Sequence, residues 1–213
     1  MGALKAAIVP VTAFQQNCTL LWDEAAMTGV VIDPGGDVGR IVAAIEQVAM
    51  TVEAIWLTHG HIDHAAGAME LKERTGVDII GPHEADAPLL SRLEDQARMF
   101  AMTETVRDCE PDRFLSAGET LTIGEHAFEV SHCPGHAPGH VVFHCEARRF
   151  AHVGDVLFSG SIGRTDLPGG DHDTLLNSIR TVLMTWPDET QFICGHGPGS
   201  TIGQERATNP FLR

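Results

Sequence analysis

The sequence contains no tyrosine, and positive charge is scarce in it. Its 213 residues include 14 Lys and Arg against 29 Asp and Glu, which gives a formal net charge of −15. A nucleic-acid-binding protein needs a basic face to meet phosphates, and this chain has no run of basic residues, so we expect no nucleic-acid partner. No apolar run approaches the ~18 residues that a membrane-spanning helix requires, so we also expect no membrane partner.

Two further absences concern cysteine pairs and nucleophile motifs. The five cysteines are widely spaced and form no CxxC pair, which argues against a disulfide framework and suits a reducing compartment. The first residues lack the apolar core of a signal peptide, so a cytoplasmic location is predicted. A GxSxG sequence is missing as well, so no nucleophile elbow is indicated.

The composition itself is typical of a globular protein. Hydrophobic residues make up 43% and charged residues 20% of the chain, and no linker or low-complexity segment interrupts it, so a single domain over residues 1–213 is predicted. Short apolar or β-branched runs predict strands in both halves, and each half also contains an apolar stripe at helical spacing. This order predicts two β-sheets packed face to face with helices outside.

Helix starts and one long loop are also indicated. Helices are predicted to begin at Asp37 and at Asp171 or Asp173, with these acids as N-caps. A further helix is predicted over 88–97, with proline in its first turn. The stretch 99–117 has no clear period and is predicted to be a long loop, and such loops are usually functional or mobile.

The strongest signal is a histidine-rich segment that directly follows a predicted buried strand. Residues 58–64 read Thr-His-Gly-His-Ile-Asp-His, and imidazole and carboxylate are ligands that Zn²⁺ and Fe²⁺ accept. Side chains on one short loop cannot all converge on a single tetrahedral ion, so we assign His59 and His61 to one ion. Asp63 and His64 are then assigned to a neighbouring ion.

Each ion needs further ligands from elsewhere in the chain, and three candidates share one context. His136, Asp155 and His196 each follow a predicted strand and a glycine. Glycine lets the backbone turn close to a ligand, and a strand end holds a side chain rigidly. These three residues are therefore predicted to complete a metal site.

The order of these motifs, HxHxDH, PGH, GD and GHGP, resembles that of the metallo-β-lactamase-fold hydrolases over nearly the whole chain. The segments 33–36, 163–171 and 209–213 are similar to the short bacterial type II glyoxalases, which are single-domain hydroxyacylglutathione hydrolases. The resemblance implies an α/β fold, namely the four-layer αβ/βα sandwich, with a binuclear metal centre at the sheet edges.

The resemblance also implies a ligand set and a reaction. Two divalent metal ions are expected, zinc first, with iron or manganese as alternatives. Asp155 bridges the ions, and Asp63 and Asp155 are the implied catalytic carboxylates. The first metal takes His59, His61 and His136. The second metal takes Asp63, His64 and His196. The implied reaction is hydrolysis of a thioester such as S-lactoylglutathione by a hydroxide that bridges the metals. The leaving thiol has a pKa of ~8.5, so it departs as a thiolate without protonation by a strong general acid.

Substrate contacts are less marked in the sequence. Long-form type II glyoxalases carry an extra helical domain that supplies basic and tyrosine contacts to glutathione, and we expect no such C-terminal domain here. Arg164 stands near the position where those enzymes place a lysine, so it is the predicted anchor for a substrate carboxylate. His172 is predicted to line the substrate mouth. Met99 and Phe100 are candidates for the pocket wall, with ordinary packing as the alternative. The predicted partner is a small-molecule thioester, and a monomer or small homo-oligomer is expected.

Several alternatives are open at this point. Persulfide dioxygenases of this fold use one iron, held by the equivalents of His59 or His61, His136 and Asp155, whereas the complete second ligand set favours hydrolysis. A lactonase of the same fold and a non-catalytic metal-binding module are the other candidates. Zinc β-lactamases of the commonest class place cysteine where Asp155 stands, which argues against antibiotic hydrolysis as the main role.

The remaining histidines and cysteines are expected to have ordinary structural roles. His140 is the exception, because it lies four residues after a ligand and is a candidate for orienting the site. The others are predicted to be strand, surface or buried residues: His83, His126, His132, His144 and His152. Cys133 and Cys194 are expected to be small buried residues, and Asp33 a structural hydrogen-bond acceptor rather than a ligand.

Overall fold

The first half of the chain forms one mixed sheet in a computed structural model that describes residues 2–101 and 106–213. Its strands are β1 (Leu4–Val11), β2 (Gln16–Asp23), β3 (Thr28–Ile32), β4 (Thr51–Trp56), β5 (Asp78–His83) and β6 (Arg113–Leu115). They lie side by side in chain order. The first three strands pair antiparallel, and β3 to β6 pair in parallel.

The second half forms the other sheet. Its strands are β7 (Thr120–Ile123), β8 (His126–His132), β9 (Val141–Cys145), β10 (Phe150–His152), β11 (Leu157–Phe158), β12 (Ser161–Ile162), β13 (Gln191–Ile193) and β14 (Ser200–Thr201). The sheet order is β14-β13-β10-β9-β8-β7, and β11 and β12 form a separate hairpin. Within this sheet β10 and β13 pair in parallel.

Six of the described helices lie in connections between strands, and the seventh follows the last strand. They are α1 (Val38–Val48), α2 (Ile62–Ala65), α3 (Ala68–Thr75), α4 (Ala87–Leu90), α5 (Leu93–Met99), α6 (His172–Thr181) and α7 (Ile202–Thr208). Ile41 of α1 and Leu71 of α3 are buried in a core against the first sheet, and Leu175 and Ile179 of α6 are buried against the second. In the part of the chain that is described, no helix has both the length and the apolar character to cross a membrane.

A third core fills the space between the two sheets. The Trp56 ring lies 5.7 Å from Phe128 and 5.0 Å from Phe143, centroid to centroid, so side chains of β4 meet those of β8 and β9. Each sheet is therefore buried on its inner face by the other sheet and on its outer face by helices. The predicted four-layer αβ/βα sandwich is confirmed, because each layer hides the apolar face of the next.

The region of the predicted 88–97 helix and 99–117 loop differs from expectation. The helix is divided into α4 and α5 by a break at Ser91 and Arg92. Within 99–117, strand β6 pairs with β5, and its three residues are too few to show the alternation that marks a strand in a sequence. Residues 102–105 of the predicted loop lie outside the described residues.

The helix starts follow prediction in position but not always in mechanism. Asp171 accepts a hydrogen bond from the Thr174 amide at 2.7 Å, so it caps α6 as expected. Asp37 precedes α1, but its backbone is left-handed with φ 48° and its side chain makes no cap hydrogen bond. The Asp37 carboxylate instead accepts the amide of Thr12 at 2.8 Å and ties the β1 end to the start of the helix.

Candidate metal centre

The predicted metal ligands lie beyond strand ends that meet at one edge of the sandwich. The four segments that supply them follow β4, β8, β10 and β13, and the first predicted ligands in these segments are, in that order, His59, His136, Asp155 and His196. Carboxyl ends of parallel strands are where α/β proteins place their sites, because the connecting loops converge there. The structure brings the six predicted ligands other than Asp155 into two donor groups at this edge, and Asp155 lies within 3.4–3.6 Å of both.

Three buried histidines form the first donor cluster. His136 Nε2 lies 3.2 Å from His59 Nε2 and 2.9 Å from His61 Nδ1. The three donor atoms form one group, and separations of 2.9 and 3.2 Å suit nitrogens bound to one ion at ~2.0–2.1 Å each, which lie at most ~4.2 Å apart. The Nδ1 atoms of His59 and His136 are engaged elsewhere, by Thr58 Oγ1 at 2.9 Å and by the Arg164 carbonyl oxygen at 2.8 Å. These bonds leave Nε2 of both rings free for a cation.

Asp63, His64 and His196 form the second donor cluster beside the first. Asp63 Oδ2 lies 3.1 Å from His196 Nε2 and 3.8 Å from His64 Nε2. The His64 side chain is completely buried, whereas the side chains of Asp63 and His196 are 16% and 32% exposed. The second cluster therefore has a closed side and a side that opens to a cavity.

Asp155 lies between the two clusters. Its Oδ1 is 3.4 Å from His64 Nε2, and its Oδ2 is 3.5 Å from His196 Nε2 and 3.6 Å from His136 Nε2. The close approach depends on Gly195, because a Cβ at that position would overlap Asp155 Oδ1 and the His64 ring. Asp155 thus places a carboxylate oxygen near donors of both clusters.

The state of the donor atoms fits divalent cations. Within the described residues, His64 Nε2 and Asp155 Oδ1 are buried and have no hydrogen-bond partner, an arrangement that costs ~1–3 kcal/mol per atom unless a ligand satisfies it. Burial and the neighbouring histidines lower the pKa of His59 well below its ordinary value, and the pKa of His61 to about 3. These rings are therefore neutral at pH 7, as metal ligation requires.

The second cluster has the opposite electrostatic character. Burial opposes charge on His64, but Asp155 and Asp63 outweigh it and raise its pKa well above the ordinary value. Burial also opposes charge on His196, but the hydrogen bond with Asp63 and the charges of Asp155 and Asp63 together outweigh it and raise its pKa. A cation that binds here displaces protons from both rings, so metal affinity of this cluster should increase with pH.

Asp33 orients ligands of both clusters from behind. It is completely buried, and its Oδ2 accepts hydrogen bonds from Thr58 Oγ1 at 2.6 Å and from His64 Nδ1 at 2.9 Å. Its Oδ1 accepts the Thr58 amide at 2.7 Å. Although Asp33, His59 and His64 also lie close enough to form a donor group, the Asp33 oxygens are occupied by these bonds. The structure thus places Asp33 as the predicted hydrogen-bond acceptor, and it fixes the tautomer of His64.

The Asp33→Asn variant should weaken binding at the second cluster by roughly 10- to 100-fold. An amide NH₂ at the Oδ2 position would force His64 Nδ1 to accept and would put the proton on Nε2, the nitrogen that faces Asp155. An NH₂ at the Oδ1 position would meet the Thr58 amide, which can only donate, so either orientation disturbs the site. Competition with a chromophoric zinc chelator measures the affinity. Asp112→Asn, which alters an acid paired with Lys72 away from the site, is the control. Equal zinc affinity in the Asp33 variant and the wild type would contradict this role.

His140 supports the site as the sequence suggested. Its ring stacks on His59 at a centroid distance of 4.6 Å and an angle of 19°, and its Nε2 accepts the Asp155 amide at 3.0 Å. The backbone at Gly154 is left-handed with φ 48°, and a Cβ there would overlap the His140 ring. His140 thus positions the Asp155 backbone, and the glycine before Asp155 makes room for it.

Two residues that support the metal-binding loops are absent from the sequence predictions. Asp86 is completely buried and accepts the Gly60 amide at 2.8 Å and the Gly139 amide at 2.5 Å, so one carboxylate joins two loops. Burial raises its pKa to about 6, against these two hydrogen bonds. Gln96 bonds to the Gly60 carbonyl oxygen and to the Ile62 amide. No local pattern marks either residue, because their partners are distant in the sequence.

Not all of the predicted substrate residues line the cavity over the metal site. A cavity of about 370 Å³ opens over both clusters, and Arg164 and Phe100 line it. Met99 lines a smaller neighbouring cavity, which Phe100 also lines. The Arg164 guanidinium makes two 2.7 Å bonds to Asp166, so its charge is already paired. His172 is exposed at the start of α6 and does not line either cavity.

The other histidines and cysteines lie apart from the donor clusters of the described residues. His83 and His132 stack on each other at 4.2 Å, and His144 stacks on Trp186 at the same distance. Cys133 and Cys194 are free and buried. Burial raises the pKa of the Cys194 thiol to about 12. His126 and His152 are buried on β8 and β10.

Comparison with known proteins agrees with this geometry. Residues 11–196 match the Metallo-beta-lactamase superfamily. A protein of Haemophilus influenzae named hydroxyacylglutathione hydrolase GloC is 47% identical over 206 residues, which are 96% of this chain and 96% of that protein.

Two solved structures extend the similarity to the fold. TTHA1623, solved in a di-iron-bound form, has a TM-score of 0.88 and 36% identity, and the match covers 97% of this chain and 100% of that one. The BLEG-1 B3 metallo-beta-lactamase has a TM-score of 0.89 and 35% identity, and the match covers 98% and 99% of the two chains. The clustered donors and these similarities lead to one conclusion. The chain belongs to the metallo-beta-lactamase superfamily and is a metal-dependent hydrolase.

Proposed function

We propose that this chain hydrolyses thioesters of small thiols at a centre of two divalent metal ions, with S-lactoylglutathione as the type substrate. The observation that carries the proposal is the position of Asp155, whose oxygens lie 3.4–3.6 Å from donors of both clusters. A carboxylate in that position gives two ions a shared ligand. The similarity to a protein named hydroxyacylglutathione hydrolase supports the thioester class.

The protein's part in this reaction is to hold and expose the metal site. When bound, two divalent ions lower the pKa of a shared water and polarise the substrate carbonyl. His59, His64 and His136 are held by hydrogen bonds on their far nitrogens, so little reorganisation is needed on binding. A thiol with a pKa of ~8.5 leaves as a thiolate, so the chain need not supply a strong acid. Zinc is the proposed metal, with iron or manganese as alternatives.

The larger cavity is the proposed site for the thiol part of the substrate. Of the described residues that line it, only Arg164 carries a permanent positive charge. Because Asp166 already pairs with Arg164, a substrate carboxylate must compete with Asp166 for the guanidinium. Both side chains are more than half exposed, so the pair is weak enough to be exchanged.

The proposed function is tested by metal analysis of protein purified without chelator, together with assays on three substrate classes. Two metals per chain and cleavage of S-lactoylglutathione are expected. Oxygen uptake with glutathione persulfide at one iron per chain would instead identify a dioxygenase. Hydrolysis of a lactone or of a β-lactam, the latter suggested by the name of one similar structure, would replace the thioester as substrate class. A protein inert to the whole panel after metal reloading would refute catalysis.

The ionic strength of the assay should affect the proposed reaction in an unusual direction. The chain carries a formal net charge of −15, and a glutathione thioester is an anion, so the two repel at long range. Salt screens this repulsion, and we expect kcat/KM to rise a few-fold from low to physiological ionic strength. A neutral thioester of N-acetylcysteamine is the control and should show no such rise. A steep fall with salt would reveal attraction by a positive surface instead.

A further inference from the structure

A second cavity, smaller and more apolar, adjoins the metal site. It has an accessible volume of about 60 Å³, against about 370 Å³ for the larger cavity. It is walled mainly by apolar side chains: Leu89, Met99, Phe100, Leu167 and Pro168. It opens beside ligands of both donor clusters, because it shares five lining residues with the larger cavity: His61, Ile62, Asp63, Phe100 and Leu167. A group attached to a carbonyl at the metal site can therefore enter it.

The polar groups in this apolar cavity are already engaged. Gln96 donates one amide proton to the Gly60 carbonyl oxygen at 3.1 Å and the other to the Leu89 carbonyl oxygen at 3.0 Å. Its Oε1 accepts the Ile62 amide at 3.0 Å. Among the described lining residues, Asp63 of the metal site carries the only charge, since His61 is neutral at pH 7. A bound group would find apolar contacts here and no free amide donor.

We propose that this apolar cavity binds the acyl group of the substrate and gives the enzyme a preference for apolar acyl chains over lactoyl. The inference rests on the proposed function and names the acyl class. The glutathionyl part carries two carboxylates and an ammonium group, which would be desolvated in the apolar cavity, so it belongs in the larger cavity with Arg164. The acyl group of the same thioester then points to the apolar side.

The test compares acetyl, butanoyl, hexanoyl and lactoyl thioesters of glutathione with the metal-loaded protein. Burial of each methylene is expected to raise kcat/KM by about 3- to 4-fold until the cavity is filled. S-butanoylglutathione should be cleaved with a higher kcat/KM than S-lactoylglutathione, because the lactoyl hydroxyl would lose its hydrogen bonds to water without gaining a donor from the protein. Calorimetric binding of the S-methyl, S-butyl and S-hexyl thioethers of glutathione, which cannot be hydrolysed, should show the same dependence on chain length.

Met99 is the residue to vary, because it lines only the apolar cavity and is 66% exposed, so its replacement should not impair folding. Met99→Ala should reduce the hexanoyl-to-acetyl ratio of kcat/KM by about 3- to 10-fold. Met99→Glu, which adds a charge to the wall, should remove the preference. Ile8→Ala is the matched control, since Ile8 is an apolar side chain that is 43% exposed on β1 and lines neither cavity.

The outcomes separate this inference from the proposed function. If every thioester is hydrolysed at the same rate and the affinity of the thioethers does not depend on chain length, the acyl cavity is refuted and the proposed thioester hydrolysis stands. Chain-length-dependent thioether binding that Met99→Glu removes, in a protein that cleaves no thioester, would support the cavity and overturn the function. If neither chain-length-dependent binding nor thioester cleavage is observed, the acyl cavity and the proposed function are both refuted.

Discussion

Replacing Asp155 with asparagine should lower kcat/KM for thioester hydrolysis by about 10³-fold or more, the largest effect we expect of any single substitution. Its carboxylate approaches donors of both clusters, with oxygens 3.4 Å from His64 and 3.6 Å from His136. An amide has no negative charge to offset two cations, and its NH₂ group would point at one of the clusters. Both metal sites should therefore lose affinity together.

The fold of the Asp155→Asn variant should be retained. The Asp155 amide donates to His140 Nε2, a contact that does not involve the altered side chain. Metal content, circular dichroism and kcat/KM measured on the same preparation distinguish loss of the site from loss of the fold. Asp63→Asn is the informative comparison, because Asp63 belongs to the second cluster only and the three histidines of the first cluster remain.

For Asp63→Asn we expect one retained metal and lost hydrolysis. For Asp173→Asn, an exposed position in the first turn of α6, we expect no change in either quantity. An Asp155→Asn protein that keeps two metals and hydrolyses S-lactoylglutathione at the wild-type rate would show that the carboxylate does not join the clusters.

Removal of metal should lower the melting temperature by about 8–16 °C and abolish hydrolysis. A ligand at 1,000 times its Kd stabilises the native state by ~4 kcal/mol, and each kcal/mol shifts Tm by ~2–4 °C in a protein of this size. The physical cause is the cluster of buried donors, in which His64 Nε2 and Asp155 Oδ1 lack hydrogen-bond partners without a cation. Calorimetry with and without a chelator measures the shift.

Reloading with two equivalents of zinc should restore both Tm and hydrolysis. The affinity should fall as pH falls, since the raised pKa values of His64 and His196 mean that protons compete with the second ion. The Asp155→Asn variant, which lacks the shared ligand, should show a smaller chelator-dependent shift. Identical melting of chelated and reloaded wild type would mean that the donor clusters do not bind metal tightly.

The predicted fold and metal ligands depended on information that is local in the chain. Strands were marked by short apolar runs, and the ligands by their position after a strand and, for three of them, after a glycine; β4 and His59 are one instance, and β13 and His196 another. The four-layer fold followed because strands that precede helices in each half can bury their faces in few ways. Elements without a local pattern could not be predicted, and the three-residue strand β6 is one of them.

The orientation of the ligands could not be predicted in this way. His61 faces the first cluster through Nδ1, whereas His64 faces the second through Nε2. His64 uses Nε2 because Asp33, 31 positions before it, occupies its Nδ1. Asp86 reaches Gly139 across 53 positions. Such contacts are set by how the layers pack, and sequence spacing carries no record of them.

The scarcity of positive charge follows from the composition, but the composition does not show whether the few cations are free to bind a substrate. The sequence by itself determined a net charge of −15, the candidate ligands and the order of strands and helices, because these depend on residue identity and short-range pattern. Only the tertiary structure decided that Arg164 is paired with Asp166 and that apolar side chains of α5 and the 163–171 loop meet beside the metal site. Both are contacts made by the folded backbone, which brings side chains together at distances that no local pattern encodes.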